Sequence, residues 1–287
     1  MIIRSLLYVP GSNPKFIEKA HLRGADAIII DLEDAVAPSM KTPAREALAQ
    51  SVPAAGRSGT PVFVRVNETD DRRFADAEAA CRAGAFGLYI PKVETAESLL
   101  AMASFLVPIE AGLGRAPMVF VPLVESPLGI FAALEIARAP RVYALSGGGE
   151  DLATAMGGQP LPHVLSLPKQ LIHLAAKAAG VRSFGLLRTV ADYSDLEGMR
   201  GAATEARQFG FDGASCIHPS VVSVLNAAFS PSEQELAWAQ KIIDADVVAA
   251  GEGRGAHTVN GQFVDAPIVA RARAMLALAK TLEDRND

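Results

Sequence analysis

The feature that most limits what this chain can fold into is a regular alternation of short apolar runs with alanine- and leucine-rich segments of helical spacing. The runs fall at residues 5–9, 27–32, 61–66, 87–91, 118–124, 142–146, 182–187 and 213–217. The segments between them predict helices over 14–23, 44–54, 75–83, 96–107, 128–137, 167–178 and 195–208. Several open on favourable first-turn residues, as in Ser12-Asn-Pro14, Ser126-Pro127 and Ser166-Leu-Pro168, and Gly24, Gly84, Gly180 and Gly210 stand where a left-handed residue ends a helix. Strict alternation implies parallel strands joined by right-handed crossovers. Eight such units within residues 1–229 match the size of a (β/α)8 TIM barrel, so an α/β fold of that kind is expected. A doubly wound open sheet is the alternative, because periodicity does not report closure. Residues 230–287 are surplus to the eight units and predict a C-terminal helical extension, with helices over 231–250 and 267–282 around a glycine-rich connection at 251–261. Such an extension would cover the barrel or reach a neighbouring subunit.

A net charge of −5 and the absence of a long Lys/Arg run argue against nucleic acid as the main partner. No run approaches the roughly 18 consecutive apolar residues of a membrane helix, and the first apolar run stops at Pro10-Gly11 instead of continuing as a signal peptide. The two cysteines, Cys81 and Cys216, make no disulfide framework and read as buried thiols. A cytoplasmic enzyme is the expectation.

Barrels and open α/β sheets keep their chemistry at the carboxyl ends of the strands. Collected there are Asp31-Leu-Glu33-Asp34, Arg65 with Asn67, Lys92 with Glu94, Glu125, Gly147-Gly-Gly-Glu-Asp151, and His218. A solvated polar rim explains any one of them, but not so readily the whole set at one edge. Glu125 and Asp151 are hard oxygen ligands with no nearby histidine or cysteine, which suits magnesium better than zinc. The three glycines before a helix start expose backbone N–H groups that could seat a carboxylate. Arg65 could bind a substrate carboxylate or stabilise an enolate oxygen, or simply form a rim salt bridge to Asp31 or Glu33. His21 and His173 fall in helical patterns, His163 in a proline-rich connection and His257 in the tail loop; only His218 stands at a strand end as a base candidate. No Gly-x-Ser-x-Gly elbow is present. Schiff-base chemistry at Lys92 is disfavoured, since the surrounding carboxylates keep that lysine protonated.

With these residues in place, the chain resembles the citrate lyase β-subunit-like branch of the HpcH/HpaI aldolase superfamily. The resemblance runs through Arg4-Ser-Leu-Leu-Tyr-Val-Pro-Gly11, Asp31-Leu-Glu-Asp-Ala-Val-Ala-Pro38, Val64-Arg-Val-Asn67, Pro91-Lys-Val-Glu94, Glu125-Ser-Pro-Leu-Gly129, Gly149-Glu-Asp-Leu152, Ile217-His-Pro219 and Val264-Asp-Ala-Pro267. It implies a (β/α)8 barrel, assembled as a homotrimer or dimer of trimers. It also implies a magnesium-dependent lyase that cleaves or forms C–C bonds in 3-hydroxyacyl-CoA thioesters such as citryl-, malyl- or citramalyl-CoA. On the same basis Glu125 and Asp151 match the metal ligands, Arg65 the arginine that contacts the substrate and its oxyanion, and Glu33 and Asp34 acidic residues that hold metal-bound waters. The backbone at Gly149 and Glu150 matches the seat of the oxo-acid carboxylate. Asp265 matches an acid/base aspartate delivered by a lid from the adjacent subunit. Two places depart from the family pattern: Pro168-Lys169-Gln-Leu171 stands where relatives often carry an Arg-Ser pair, and Phe184-Gly185-Leu186 where they often carry Ile-Asp-Gly. These departures motivate two alternatives on the same metal site, a CoA-free 2-oxo acid aldolase and an acyl-CoA thioesterase. A third is a non-catalytic subunit that binds an oxo acid or a carrier protein.

Overall fold

The structure, a computed structural model, describes residues 1–284; residues 285–287, the end of the expected extension, lie outside the described residues. Two compact units are present, one spanning Ile3–Asn226 and the other comprising Met1–Ile2 with the chain from Ala227 onward.

The larger unit has an α/β fold. Its strands are β1 (Ser5–Pro10), β2 (Ala27–Asp31), β3 (Val62–Arg65), β4 (Gly87–Ile90), β5 (Val119–Pro122), β6 (Ala144–Ser146), β7 (Arg182–Phe184) and β8 (Ala214–Cys216). A curled six-stranded parallel sheet runs in the order β5-β4-β3-β2-β1-β8, and β6 pairs with β7, also in parallel. Backbone bonds join these two pieces at both edges. Val124 N–H donates to Ser146 O at 2.8 Å and Tyr143 N–H to Phe120 O at 2.8 Å; on the other side Gly185 N–H donates to Gly213 O at 2.9 Å. β2, Ala27-Ile-Ile-Ile-Asp31, is buried along its whole length and apolar up to its final residue, as expected of a parallel strand covered on both faces. Phe63, Tyr89, Val121, Leu123 and Phe184 form a core cluster with Ile3, Leu6 and Ile29. The hydroxyls of Tyr89 and Tyr143 are buried there without a protein partner among the described residues.

The crossover helices follow the expected spacing, with instructive differences. Asn13 and Ser126 cap their helices as their motifs suggest, and Gly84, Gly180 and Gly210 take positive φ at helix ends. The helix expected from Ser166-Leu-Pro168 begins earlier, at Pro162, and runs to Ala178 with Pro168 inside it. Its buried stripe of Leu165, Lys169, Ile172 and Ala176 extends a full turn upstream, so packing overrides the local start signal. His163 therefore lies on this helix, not in a connection. The expected helix over 44–54 is two, Lys41–Glu46 and Leu48–Ala55, and that over 128–137 is also two, Pro127–Phe131 and Ala133–Arg138. One helix, Ala96–Leu113, is long and apolar enough by length and composition to cross a membrane. It carries Glu97 and Glu110, however, and buries Leu99, Met102 and Leu106.

The C-terminal unit holds the helices Glu233–Gly251 and Ala266–Glu283. The segment between them, expected to be a plain connection, contains an antiparallel hairpin of β9 (His257–Val259) and β10 (Gln262–Val264). Asn260 and Gly261, both at positive φ, form its two-residue turn, as the right-handed twist of hairpin strands favours. His257 is consequently a buried strand residue. Val259, Val264, Ala239, Ile242, Val269 and Ala272 make this unit's own core.

Candidate active site

The strand register explains the first element of the site. Asp31 ends β2 directly opposite Arg65 at the end of β3. The Arg65 guanidinium donates to both Asp31 oxygens at 2.7 Å, Nε to Oδ1 and Nη2 to Oδ2. Its Nη1 reaches Glu33 at 2.9 Å and Asp34 at 3.0 Å. Asp31 also accepts the backbone N–H groups of Glu33 at 2.8 Å and Ala35 at 3.0 Å, which fixes the turn that carries the other two carboxylates. Burial comes first among the causes that push Glu33 up to about 8; Arg65 pulls it down, while Asp34, Glu125 and Asp31 repel. One guanidinium shared among three carboxylates leaves an excess of negative charge. The rim salt bridge read from sequence thus exists: three of the five guanidinium N–H groups donate hydrogen bonds to it, and Nη1 also forms an ion pair with Glu33.

Across a cavity of about 470 Å³, Arg65, Asp31, Asp34 and Tyr8 face Glu125, Asp151, Glu150 and the Gly147–Gly149 loop. Glu33 does not line this cavity; it faces a second one of about 400 Å³ with Lys41, Asn67, Glu68, Arg72 and Lys92, and Asp34 borders both. Glu125 follows β5 and is only 6 % exposed. One of its oxygens accepts the backbone N–H of Lys92 at 3.1 Å, and a φ of 50° at Lys92 accompanies that contact. A Cβ at residue 148 would meet the other oxygen, so a side chain there would displace the Glu125 carboxylate. Burial and the Asp151 charge push Glu125 up to about 7, against the Lys92 N–H and Arg65. Asp151 sits in the first turn of the helix Gly149–Ala155 and, among the described residues, has no hydrogen bond or ion pair.

Two carboxylates facing one cavity without a cation between them are the donor set of a hard divalent ion. No group of three or more His, Cys, Asp or Glu side chains could hold a metal among the described residues, so the remaining positions of such an ion would belong to water and substrate. Lys92 is not part of this centre: its ammonium pairs with Glu68 at 2.7 Å. His218 caps the 3-10 turn Pro219–Val221, accepting Ser220 N–H at 3.2 Å, and stacks on Tyr193; it does not line the cavity. Asp265 belongs to the C-terminal unit, as the residue before the helix Ala266–Glu283.

Several cavity residues were given no site role by the sequence reading. Tyr8 had no polar context in an apolar strand. Asp31 stood in the strand-end set, but with no role beyond a salt bridge to Arg65. Lys169 is 5 % exposed and donates to the carbonyls of Leu186 at 2.8 Å and Arg188 at 2.9 Å, holding the segment after β7 beside Gly149. Its burial lowers it to about 8, partly offset by Glu150. Lysine in the apolar stripe of its helix was the available signal. Thr189, also lining the cavity, donates to the Glu150 carboxylate. At Gly185 a Cβ would lie 3.3 Å from the Phe211 ring, so a side chain there would press on that ring.

The sequence profile of HpcH/HpaI aldolase/citrate lyase matches residues 4–219. The chain belongs to this family. It is 34 % identical over 286 residues to the citrate lyase subunit beta of Escherichia coli K12, covering 96 % of this chain and 93 % of that one. It is 37 % identical over 287 residues to a (3S)-malyl-CoA thioesterase of Cereibacter sphaeroides, covering 97 % and 95 %. Among solved family structures, protein CitE from Mycobacterium tuberculosis in complex with magnesium, acetoacetate and coenzyme A superposes with a TM-score of 0.78 at 32 % identity, covering 97 % of this chain and 98 % of that one. RipC from Yersinia pestis superposes with a TM-score of 0.66 at 26 % identity, covering 82 % and 98 %.

Proposed function

We propose that this protein is a magnesium-dependent carbon–carbon lyase acting on a 3-hydroxyacyl-CoA thioester such as citryl-, malyl- or citramalyl-CoA. The observation that carries the reading is the carboxylate pair Glu125 and Asp151, neither ion-paired among the described residues, facing Arg65 across one cavity beside a glycine loop. The scaffold is read as a closed (β/α)8 barrel over residues 1–229, followed by the extension from 230; the backbone bonds linking β5 to β6 and β7 to β8 support closure. Glu125 and Asp151 would hold the magnesium ion, which when bound would polarise the oxo-acid oxygens and offset charge that builds in cleavage. The backbone at Gly149 and Glu150 seats the oxo-acid carboxylate, because first-turn N–H groups have no intrahelical acceptor. Arg65, held by Asp31, presents a remaining N–H to the developing enolate oxygen. Asp34, which borders this cavity, would orient water around such an ion, while Glu33, expected to share that task, faces the second cavity and acts through its ion pair with Arg65. Asp265, delivered by a neighbouring subunit of a homotrimer or dimer of trimers, moves the proton at the enolate carbon. Two buried free thiols accord with a reducing cytoplasm.

Incubating the protein and magnesium with citryl-, malyl- and citramalyl-CoA and with free 4-hydroxy-2-oxo acids tests the reading. Release of an oxo acid with an acyl-CoA supports it, and Glu125→Ala and Asp151→Ala should each abolish turnover. Unchanged activity and metal affinity in both variants would remove the metal assignment. The similarity to a malyl-CoA thioesterase favours one second reading, hydrolysis at the same site. Release of free CoA with the hydroxy acid's carbon skeleton intact identifies it.

A further inference from the structure

Tyr8 stands at the carboxyl end of β1 with its ring directed among the strands, edge-on to Tyr89 at a centroid separation of 6.0 Å. The Arg65 guanidinium carbon lies 5.1 Å from the centre of the Tyr8 ring, and Tyr8 lines the same cavity as Arg65, Asp31 and Glu125. Among the described residues its hydroxyl has no hydrogen-bond partner. The same is true of Tyr89 and Tyr143, but those hydroxyls are closed off in the core, whereas Tyr8 borders the cavity. Burial, the first cause, raises the Tyr8 phenol well above its ordinary range despite Arg65, so it stays protonated and able to donate. Arg65, by contrast, donates three hydrogen bonds to Asp31 and Asp34 and is ion-paired with Glu33 as well. The oxyanion donor assigned to this site is largely engaged, and an uncommitted phenol lies beneath it.

We propose that Tyr8 is a catalytic residue whose hydroxyl donates a hydrogen bond to the enolate oxygen left when the C–C bond breaks, beside a remaining N–H of Arg65. The inference rests on the lyase reading above. The substrate hydroxyl beside the broken bond passes its proton to the site's acid/base group and becomes the oxo acid's carbonyl, while the electron pair of the broken bond becomes the enolate, whose negative charge concentrates on that oxygen. No proton leaves Tyr8; its O–H bond stays intact while the hydrogen bond strengthens.

Tyr8→Phe removes the hydroxyl and keeps the ring against Arg65 and Tyr89. The variant should lose about 100-fold in kcat, with KM changed less than about threefold, as removal of one oxyanion donor does. Its thermal midpoint and its affinity for pyruvate should match the wild type. Solvent deuterium exchange into the methyl group of acetyl-CoA or pyruvate, followed by NMR, should slow by the same factor as kcat. Wild-type kcat and exchange in Tyr8→Phe would overturn the proposal, as would a loss confined to KM. A wild-type protein that exchanges methyl protons yet cleaves no ester overturns the lyase reading alone, and the Tyr8→Phe exchange rate then decides Tyr8. If the wild type neither cleaves nor exchanges, both fall.

Discussion

Glu125→Gln should make the metal-free protein more stable at pH 8, and magnesium should reverse that order. Glu125 is buried, and its surroundings are Asp151, Arg65, Asp34 and the Lys92 N–H. Burial first, then the Asp151 and Asp34 charges, raise it from 4.5 to about 7 against the opposing Lys92 N–H and Arg65. A carboxyl raised on folding keeps its proton longer in the native state than in the unfolded chain. Its penalty is therefore absent below pH 4.5, grows as pH rises, and is complete above about 7. At roughly 1.36 kcal/mol per pH unit the full penalty is about 3 kcal/mol. Glutamine never ionises and escapes it, but it accepts the Lys92 N–H less strongly, at a cost of about 1 kcal/mol. A net gain of about 2 kcal/mol is expected at pH 8, and almost none at about pH 5. Urea denaturation of both proteins in a chelating buffer measures this. Magnesium at about 100 times its dissociation constant should then add roughly 3 kcal/mol to the wild type and little to the variant. A variant no more stable than wild type at pH 8, or an equal magnesium effect on both, would refute the reasoning.

Asp31→Asn should cost about 3 kcal/mol or more, because it takes a buried charge from Arg65 and turns an amide NH2 toward groups that donate; equilibrium denaturation checks it, and a loss under 1 kcal/mol would show that Glu33 and Asp34 suffice to hold the arginine. Lys169→Met leaves the carbonyls of Leu186 and Arg188 without their donor. Faster amide exchange over residues 186–190 and weaker pyruvate binding at unchanged magnesium affinity are expected, and Lys169→Arg should restore part of both. Mixed oligomers of Asp265→Ala and Arg65→Ala chains should regain activity that neither variant has alone. Confirmed mixed assemblies without activity would remove the lid role of Asp265.

Much of the site was legible because strand ends are set locally. An apolar run closed by a carboxylate, as at Glu125, or by a glycine loop leading into Asp151, tells where the strand stops and which groups stand at its end. Direction within the sheet was not legible. A parallel strand covered on both faces carries no alternation, so nothing along 5–9 says that Tyr8 points inward. The same limit left open which carboxylate grips Arg65; the β2–β3 register sets Asp31 opposite it. Lys169 was hidden by distance: its acceptors lie 17 and 19 residues away, across a helix and a strand. In the tail, glycines suggested a connection, while the Asn260-Gly261 turn and the burial of Val259 and Val264 made a hairpin.

The sequence by itself determined the α/β alternation, the family, and the ends of the strands at which Arg65, Glu125 and Asp151 stand. These follow from short-range patterns of burial and turn chemistry. Tertiary structure alone decided that three carboxylates share one arginine, that Glu125 and Asp151 face a common cavity without a cation, and that a free phenol lies under the guanidinium. Those facts depend on strand register and on which face turns inward, and packing across the whole sheet sets both.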